Sequence, residues 1–129
     1  MPDDPKHPDT GSPSWDRRSA RRFVDEWIAV WNRHDLDAIC AMLADDVEFV
    51  SPFLSVMYDT PSGVLRGRDA VRGWFAKSLE DPSFHIEDPL HVLTGLDTVV
   101  LVESINGVVA ANVFTLDAAG RISRSLVHA

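Results

Sequence analysis

Two residues able to move a proton or hold a metal stand two positions apart. His85 and Glu87 share one face of an alternating stretch, where they could form an acid/base pair or contribute two metal ligands. Phe84 and Ile86 claim the opposite, apolar face, so periodicity sends His85 and Glu87 outward. His34 falls between two helical patterns and reads as a residue that satisfies helix ends, while His91 and His128 read as structural or exposed. Cys40 is the single cysteine, without a disulfide partner or a thiol cluster for zinc, and reads as a small core residue. No Gly-rich phosphate loop, His-Glu-x-x-His, paired cysteines or Gly-x-Ser-x-Gly elbow occurs. Any chemistry must therefore come from single residues that the fold gathers.

The chain that gathers them has 129 residues, enough for one domain. An apolar fraction of 45%, with six Phe and four Trp, supplies a core and excludes a disordered chain. No apolar run is long enough for a membrane span, and no basic-then-apolar signal segment opens the sequence, so the expected location is the cytoplasm. A net charge of −8 argues against nucleic acid or an anionic membrane as partner. Arg17, Arg18, Arg21 and Arg22 are the local exception, and with Asp3, Asp4, Asp9 and Asp16 nearby they read as a solvated helix face.

Residues 1–13 hold four of the eight prolines and read as a disordered tail ahead of a domain spanning 14–129. Ser14 offers an N-cap, and Phe23, Val24, Trp27, Ile28, Val30 and Trp31 form the apolar stripe of a long helix ending near Arg33. Asp35 caps a second, short helix with Leu36, Ile39, Cys40 and Leu43 on one face. A strand follows over residues 47–51, with Val47, Phe49 and Ser51 on one side, and Pro52 stops it. The segment 53–66 carries turn residues yet is too apolar for a solvated loop, which predicts that it folds over something. Arg68-Asp69 starts a third helix with Val71, Trp74, Phe75 and Leu79 inward, and Asp81-Pro82 closes it. Strand periodicity then runs over 84–93, 98–105, 108–116 and 121–127, with Asn106-Gly107 the strongest hairpin signal. Helices first and antiparallel strands afterwards predict an α+β domain with helices on one face of a curved sheet.

The run from Trp31 through Asn32-Arg33-His34-Asp35-Leu36-Asp37-Ala38 to Ile39, then Leu43-Ala44-Asp45-Asp46-Val47-Glu48-Phe49 and Ser51-Pro52, resembles the opening of the NTF2-like superfamily. Gly63, Gly67-Arg68-Asp69-Ala70-Val71-Arg72 and the closing Asp117-Ala118-Ala119-Gly120-Arg121-Ile122 are similar to later parts of that fold. The resemblance, nearest to the SnoaL-like and ketosteroid-isomerase-like group, implies a cone: three N-terminal helices against a curved, mostly antiparallel sheet enclosing an apolar pocket. It also implies chemistry that needs neither a cofactor nor a metal. Fold alone does not decide activity, so the pocket residues must.

In the isomerase pattern a carboxylate base works beside a tyrosine and a protonated aspartic acid. Laid onto this chain, the base position falls at Ser51, the tyrosine position at Trp27 and the protonated-acid position at Asn112. Ser51 cannot be that base, whereas Trp27 and Asn112 can still donate hydrogen bonds. Strand parity adds Phe49, Val100, Val102, Ser104 and Phe114 to the same wall, with Trp74 reaching it from the third helix. Between Pro52 and Gly67 the chain is several residues longer than the isomerase pattern, and the extra length carries Tyr58 and Asp59. A lid would bring Asp59 over the mouth as the missing base, or Tyr58 as a donor; a plain surface turn is the competing reading. The arginine-flanked aspartate pair of the superfamily's epoxide hydrolases has Ser104 to Asn106 and Leu126-Val127 in its place.

The resulting expectation is a cofactor-independent isomerase, cyclase or dehydratase acting on a small apolar, oxygenated metabolite. A non-catalytic ligand-binding or association module of the same fold is the alternative. Val50, Leu101, Ile105 and Leu126, read as alternating outward, predict a homodimer through the outer sheet face. Deleting residues 1–13 is expected to lower the melting temperature by less than about 4 °C, which for a domain of this size is roughly 1 kcal/mol; a larger fall in a thermal melt would mean that the tail docks.

Overall fold

In the computed structural model, which describes residues 16–129, Asp16 caps the long helix by accepting a 2.8 Å hydrogen bond from the Ser19 amide. Ser14 and the segment 1–13 lie outside the described residues. The helix, α1 (Arg17–Asn32), buries Ala20, Phe23, Val24, Trp27, Val30 and Trp31, the three-and-four spacing of a single stripe. It stops where His34 takes a left-handed φ of 56°. Asp35 then caps α2 (Leu36–Ala41) by accepting from the Ala38 amide.

Strand β1 (Leu43–Val50) turns Val47 and Phe49 inward, and Ser51 continues that face. The apolar segment after Pro52 forms a short helix, α3 (Pro52–Met57), anchored by the fully buried Leu54, and a three-residue strand, β2 (Val64–Arg66). Helix α4 (Arg68–Ser78) buries Val71, Trp74 and Phe75. Four strands follow, β3 (His91–Thr94), β4 (Thr98–Ile105), β5 (Val108–Leu116) and β6 (Ile122–His128). The sheet order is β2-β1-β6-β5-β4-β3, antiparallel throughout except for the parallel pair β1 and β6. This is the α+β architecture with helices packed on a curved, unclosed sheet that the sequence predicts.

The expected strand over 84–93 divides into an isolated bridge from Ile86 to Ile105 and the short β3. Side chains supplement the few backbone bonds that remain, from the Glu87 amide to the Ser104 carbonyl and from the Asn106 amide to the His85 carbonyl. Asn32 donates from Nδ2 to the Ile86 carbonyl and accepts the Ile86 amide at Oδ1, both at 2.8 Å. His34 Nε2 lies 2.8 Å from the Phe84 carbonyl oxygen. His85 and Glu87 are exposed, and Glu87 accepts from Ser104 Oγ and the Gly107 amide, lacing this segment to the β4–β5 turn.

β4 turns inward the face opposite to the one strand parity predicts. The inward residues of β4 are Val99, Leu101 and Glu103, not Val100, Val102 and Ser104, which lie on the outer face. Leu101 is fully buried and Ile105 faces a cavity, so of the four residues offered for a dimer face only Val50 and Leu126 point outward. The cause is that both faces of β4 are aliphatic, so hydrophobicity alone does not choose between them.

Asn32→Ala should leave the paired backbone groups of Ile86 unsatisfied in a partly buried position, at a cost of about 1–3 kcal/mol in a urea melt. An unchanged midpoint would mean that water replaces the amide at no cost.

Candidate functional site

A cavity of about 630 Å³ lies between the inner face of the sheet and the helices α1, α3 and α4. This volume is within the range of small-molecule sites. Its walls are largely aromatic, with Trp27 and Trp31 from α1, Phe49 from β1, Phe53 from α3, Trp74 and Phe75 from α4, and Phe84 from the clamped segment. The rings brace one another edge to face: Trp27 meets Phe114 at 5.1 Å and Phe49 meets Phe75 at 5.3 Å between centroids. Lys77, Glu80 and Asp81 also line it and are solvent-exposed, as are Met57 of α3 and Val108 of β5.

Within this apolar space one carboxyl is buried. Glu103 is 1% exposed, and its Oε2 accepts a hydrogen bond from Asn112 Nδ2. Asn112 Oδ1 in turn accepts from Ser125 Oγ at 3.3 Å. Glu103 Oε1 is buried with no hydrogen-bond partner among the described residues. No cationic side chain among them offsets the charge, so burial prevails over the Asn112 hydrogen bond and raises the Glu103 pKa to about 7. Trp31 Nε1, on another wall of the cavity, is likewise buried without a partner among the described residues.

The sheet explains how three polar groups meet. Glu103 pairs with Ala110, Asn112 with Leu101 and Val127, and Ser125 with Phe114. Glu103, Asn112 and Ser125 are therefore diagonal neighbours on one face of three adjacent strands, within reach of side chains. Ala110, directly opposite Glu103, has only a methyl group and leaves the carboxyl room.

Of the residues expected at the site, Trp27, Phe49, Ser51, Trp74 and Asn112 line the cavity. Phe114 is fully buried beside them, braced by Phe23 at 5.2 Å and by Trp27, and supports the cavity without lining it. Ser51 is used in part by the fold: its Oγ accepts the Phe53 amide and caps α3, leaving the hydroxyl hydrogen for a group in the cavity. Tyr58 and Asp59 do not line the cavity; Tyr58 packs on Trp74 at 5.2 Å, and Asp59 is exposed in a turn with φ 53°. The extra length between Pro52 and Gly67 contributes Phe53 and Met57 of α3 to the wall instead of a carboxylate.

Glu103 is the functional candidate that parity missed, and a signal for it was available. The two-residue turn Asn106-Gly107 pairs Ile105 with Val108, and counting back places Leu101 opposite Asn112. If Asn112 and Phe114 face inward, Leu101 and Glu103 must do so too. Val100, Val102 and Ser104 cannot share that face.

A raised carboxyl pKa has a definite effect on stability. Between the unperturbed value of 4.5 and about 7, the folded state holds a proton that the unfolded state has released, so stability falls as pH rises through this window and then levels off. The full drop is on the order of 3 kcal/mol. Glu103→Gln should remove this slope, matching the parent protein near pH 4.5 and exceeding its stability at pH 8. Urea melts across pH 4.5–8 test it, and parallel curves for the two proteins would refute it.

A family model for the SnoaL-like domain matches residues 24–125. Among solved structures, a SnoaL-like protein of unknown function from Burkholderia thailandensis is 34% identical, with 90% of this chain and 98% of that one covered at a TM-score of 0.85. The epoxide hydrolase/cyclase-like enzyme SalBIII, with a role in pyran ring formation in polyether salinomycin, is 26% identical over 88% of this chain and 92% of its own, at 0.68. An NTF2-like protein of unknown function from Cytophaga hutchinsonii, 19% identical over 84% of this chain and 88% of its own at 0.64, shares the fold. A search of curated proteins finds no match. With the model match running from α1 into β6, the chain belongs to the SnoaL-like domain family.

Proposed function

We propose that the chain is a cofactor-independent isomerase, cyclase or dehydratase for a small apolar, oxygenated molecule, with Glu103 as the group that moves the proton. The observation that carries this reading is a buried carboxyl whose Oε1 has no partner among the described residues, in a residue that lines an aromatic cavity. A pKa of about 7 keeps both forms populated at neutral pH, the condition under which one group can take a proton and give it back. Ionised Glu103 would take a proton from carbon next to a carbonyl. The electron pair moves onto the carbonyl oxygen, and the carboxylic acid so formed returns the proton to another carbon or to a departing hydroxyl. Asn112 Nδ2, which has a second hydrogen, and the Ser51 hydroxyl are the candidate donors to the developing oxyanion.

The likeness to SalBIII supports ring-forming or ring-opening chemistry at oxygen as one form of this proton transfer. The apolar lining favours a substrate with few polar groups, because every unpaired polar group carried inside costs desolvation energy.

The test uses 1-tetralone, a bicyclic enolisable ketone, as probe. Its α-hydrogens are expected to exchange with deuterium oxide faster in the presence of the protein, with a rate that rises through about pH 7 as Glu103 ionises. Glu103→Gln should lower the protein-dependent rate by about 10²-fold or more. Equal rates for the two proteins, with probe binding shown for both by saturation transfer, would leave a binding module instead of an enzyme.

A further inference from the structure

The cavity reading leaves Ser125 without a role. It is buried on β6 and is not among the residues lining the cavity, so it cannot touch a ligand there. Its hydroxyl nonetheless ends the polar line through Asn112 to Glu103. We propose that Ser125 is a positioning residue: acting through the Asn112 carboxamide, it commits Glu103 Oε2 as an acceptor and leaves Oε1 as the oxygen that exchanges a proton with the ligand.

An asparagine amide can sit in two ways, with its oxygen and nitrogen exchanged. In the observed orientation Oδ1 accepts the Ser125 hydroxyl and Nδ2 donates to Glu103. Turned over, Oδ1 would face the carboxylate, acceptor against acceptor, and the Ser125 hydroxyl would lose the one acceptor it has among the described residues. A buried hydroxyl without an acceptor is costly. Ser125 and ionised Glu103 thus select the same orientation from opposite ends. Because Oε2 already accepts the amide N–H, a proton arriving at Glu103 settles on Oε1, which has no partner among the described residues. The line therefore separates a held oxygen from a working one.

The magnitude follows from the geometry. At 3.3 Å the Ser125 bond is longer than an ordinary hydroxyl hydrogen bond, so it orients the amide more than it polarises it. Its loss should weaken, not abolish, the N–H bond that favours the ionised carboxyl. The other charged residues lining the cavity are Lys77 of α4 and Glu80 and Asp81 just beyond it, and the other titratable residues on the strands β3 to β6 are His91 on β3 and Arg124 and His128 on β6. The first three border the cavity and the last three lie on the outer sheet face. None contributes to the Glu103 shift, which has burial and Asn112 as its causes.

Proton exchange between Oε1 and a ligand rests on the proposed function, so the test separates the two. In protein labelled with ¹³C at glutamate carboxyls, the Glu103 resonance, identified by its absence in Glu103→Gln, is followed against pH. Ser125→Ala should raise the midpoint by about half a unit, because the ionised form loses support. Ser125→Thr, which keeps the hydroxyl, should restore it. In the unsubstituted protein the Asn112 side-chain amide protons should shift with the same midpoint, a measurement that does not depend on any variant folding. A Ser125→Ala midpoint equal to the parent's, or Asn112 amide protons indifferent to pH, would overturn the proposal. If Ser125→Ala moves the midpoint while Glu103→Gln leaves 1-tetralone exchange unchanged, the positioning role stands and the enzymatic reading falls. If exchange is lost in Glu103→Gln but Ser125→Ala leaves the midpoint in place, the positioning role alone falls.

Discussion

The turn at Asn106-Gly107 is the constraint on which the interior depends. Both residues take positive φ, 50° and 85°, the geometry of a tight hairpin whose twist matches that of its strands. Pairing Ile105 with Val108 fixes every cross-strand partner of β4 and β5, because a slip by one residue would exchange the faces of a whole strand. The turn is tied from outside as well. Its Asn106 side chain accepts the His85 amide, and the Gly107 amide donates to Glu87. A register set at the rim thus determines which carboxyl stands in the cavity.

That carboxyl works against the fold's own stability. The packing of α1, α4 and the sheet supplies a dense aromatic interior, and Glu103 is the single carboxyl among the described buried residues. One hydrogen bond from Asn112 compensates only in part, which is why burial prevails in setting the protonation balance. A structural role would be served as well by glutamine, which could accept the same N–H without the charge. A buried carboxyl that costs stability when ionised marks a candidate functional site.

Much of the architecture could be read from patterns that have one physical interpretation. The α1 stripe, the Asp35 cap and the boundaries of β4 and β5 emerge in the structure as periodicity and turn chemistry predict. The face of β4 was ambiguous because valines and leucines occupy both sides, and a charged residue is by habit assigned to solvent. The hairpin register would have resolved it, since it transfers the orientation of Asn112 to Glu103. α3 was harder to foresee: six residues, begun by a proline and capped by Ser51, are too few for periodicity to reveal a helix. Ser51 accordingly has two occupations, a cavity position and a cap, of which only the first was legible.

The clamp from Asn32 and His34 onto residues 84 and 86 couples one wall of the cavity to the helical layer. Phe84 and Ile86 form part of that wall, and two side chains of the α1–α2 corner hold their backbone where the sheet offers only the Ile86–Ile105 bridge and single backbone bonds at His85 and Glu87. A displacement of the α1–α2 corner would therefore be carried to the aromatic wall directly, without first passing through the sheet.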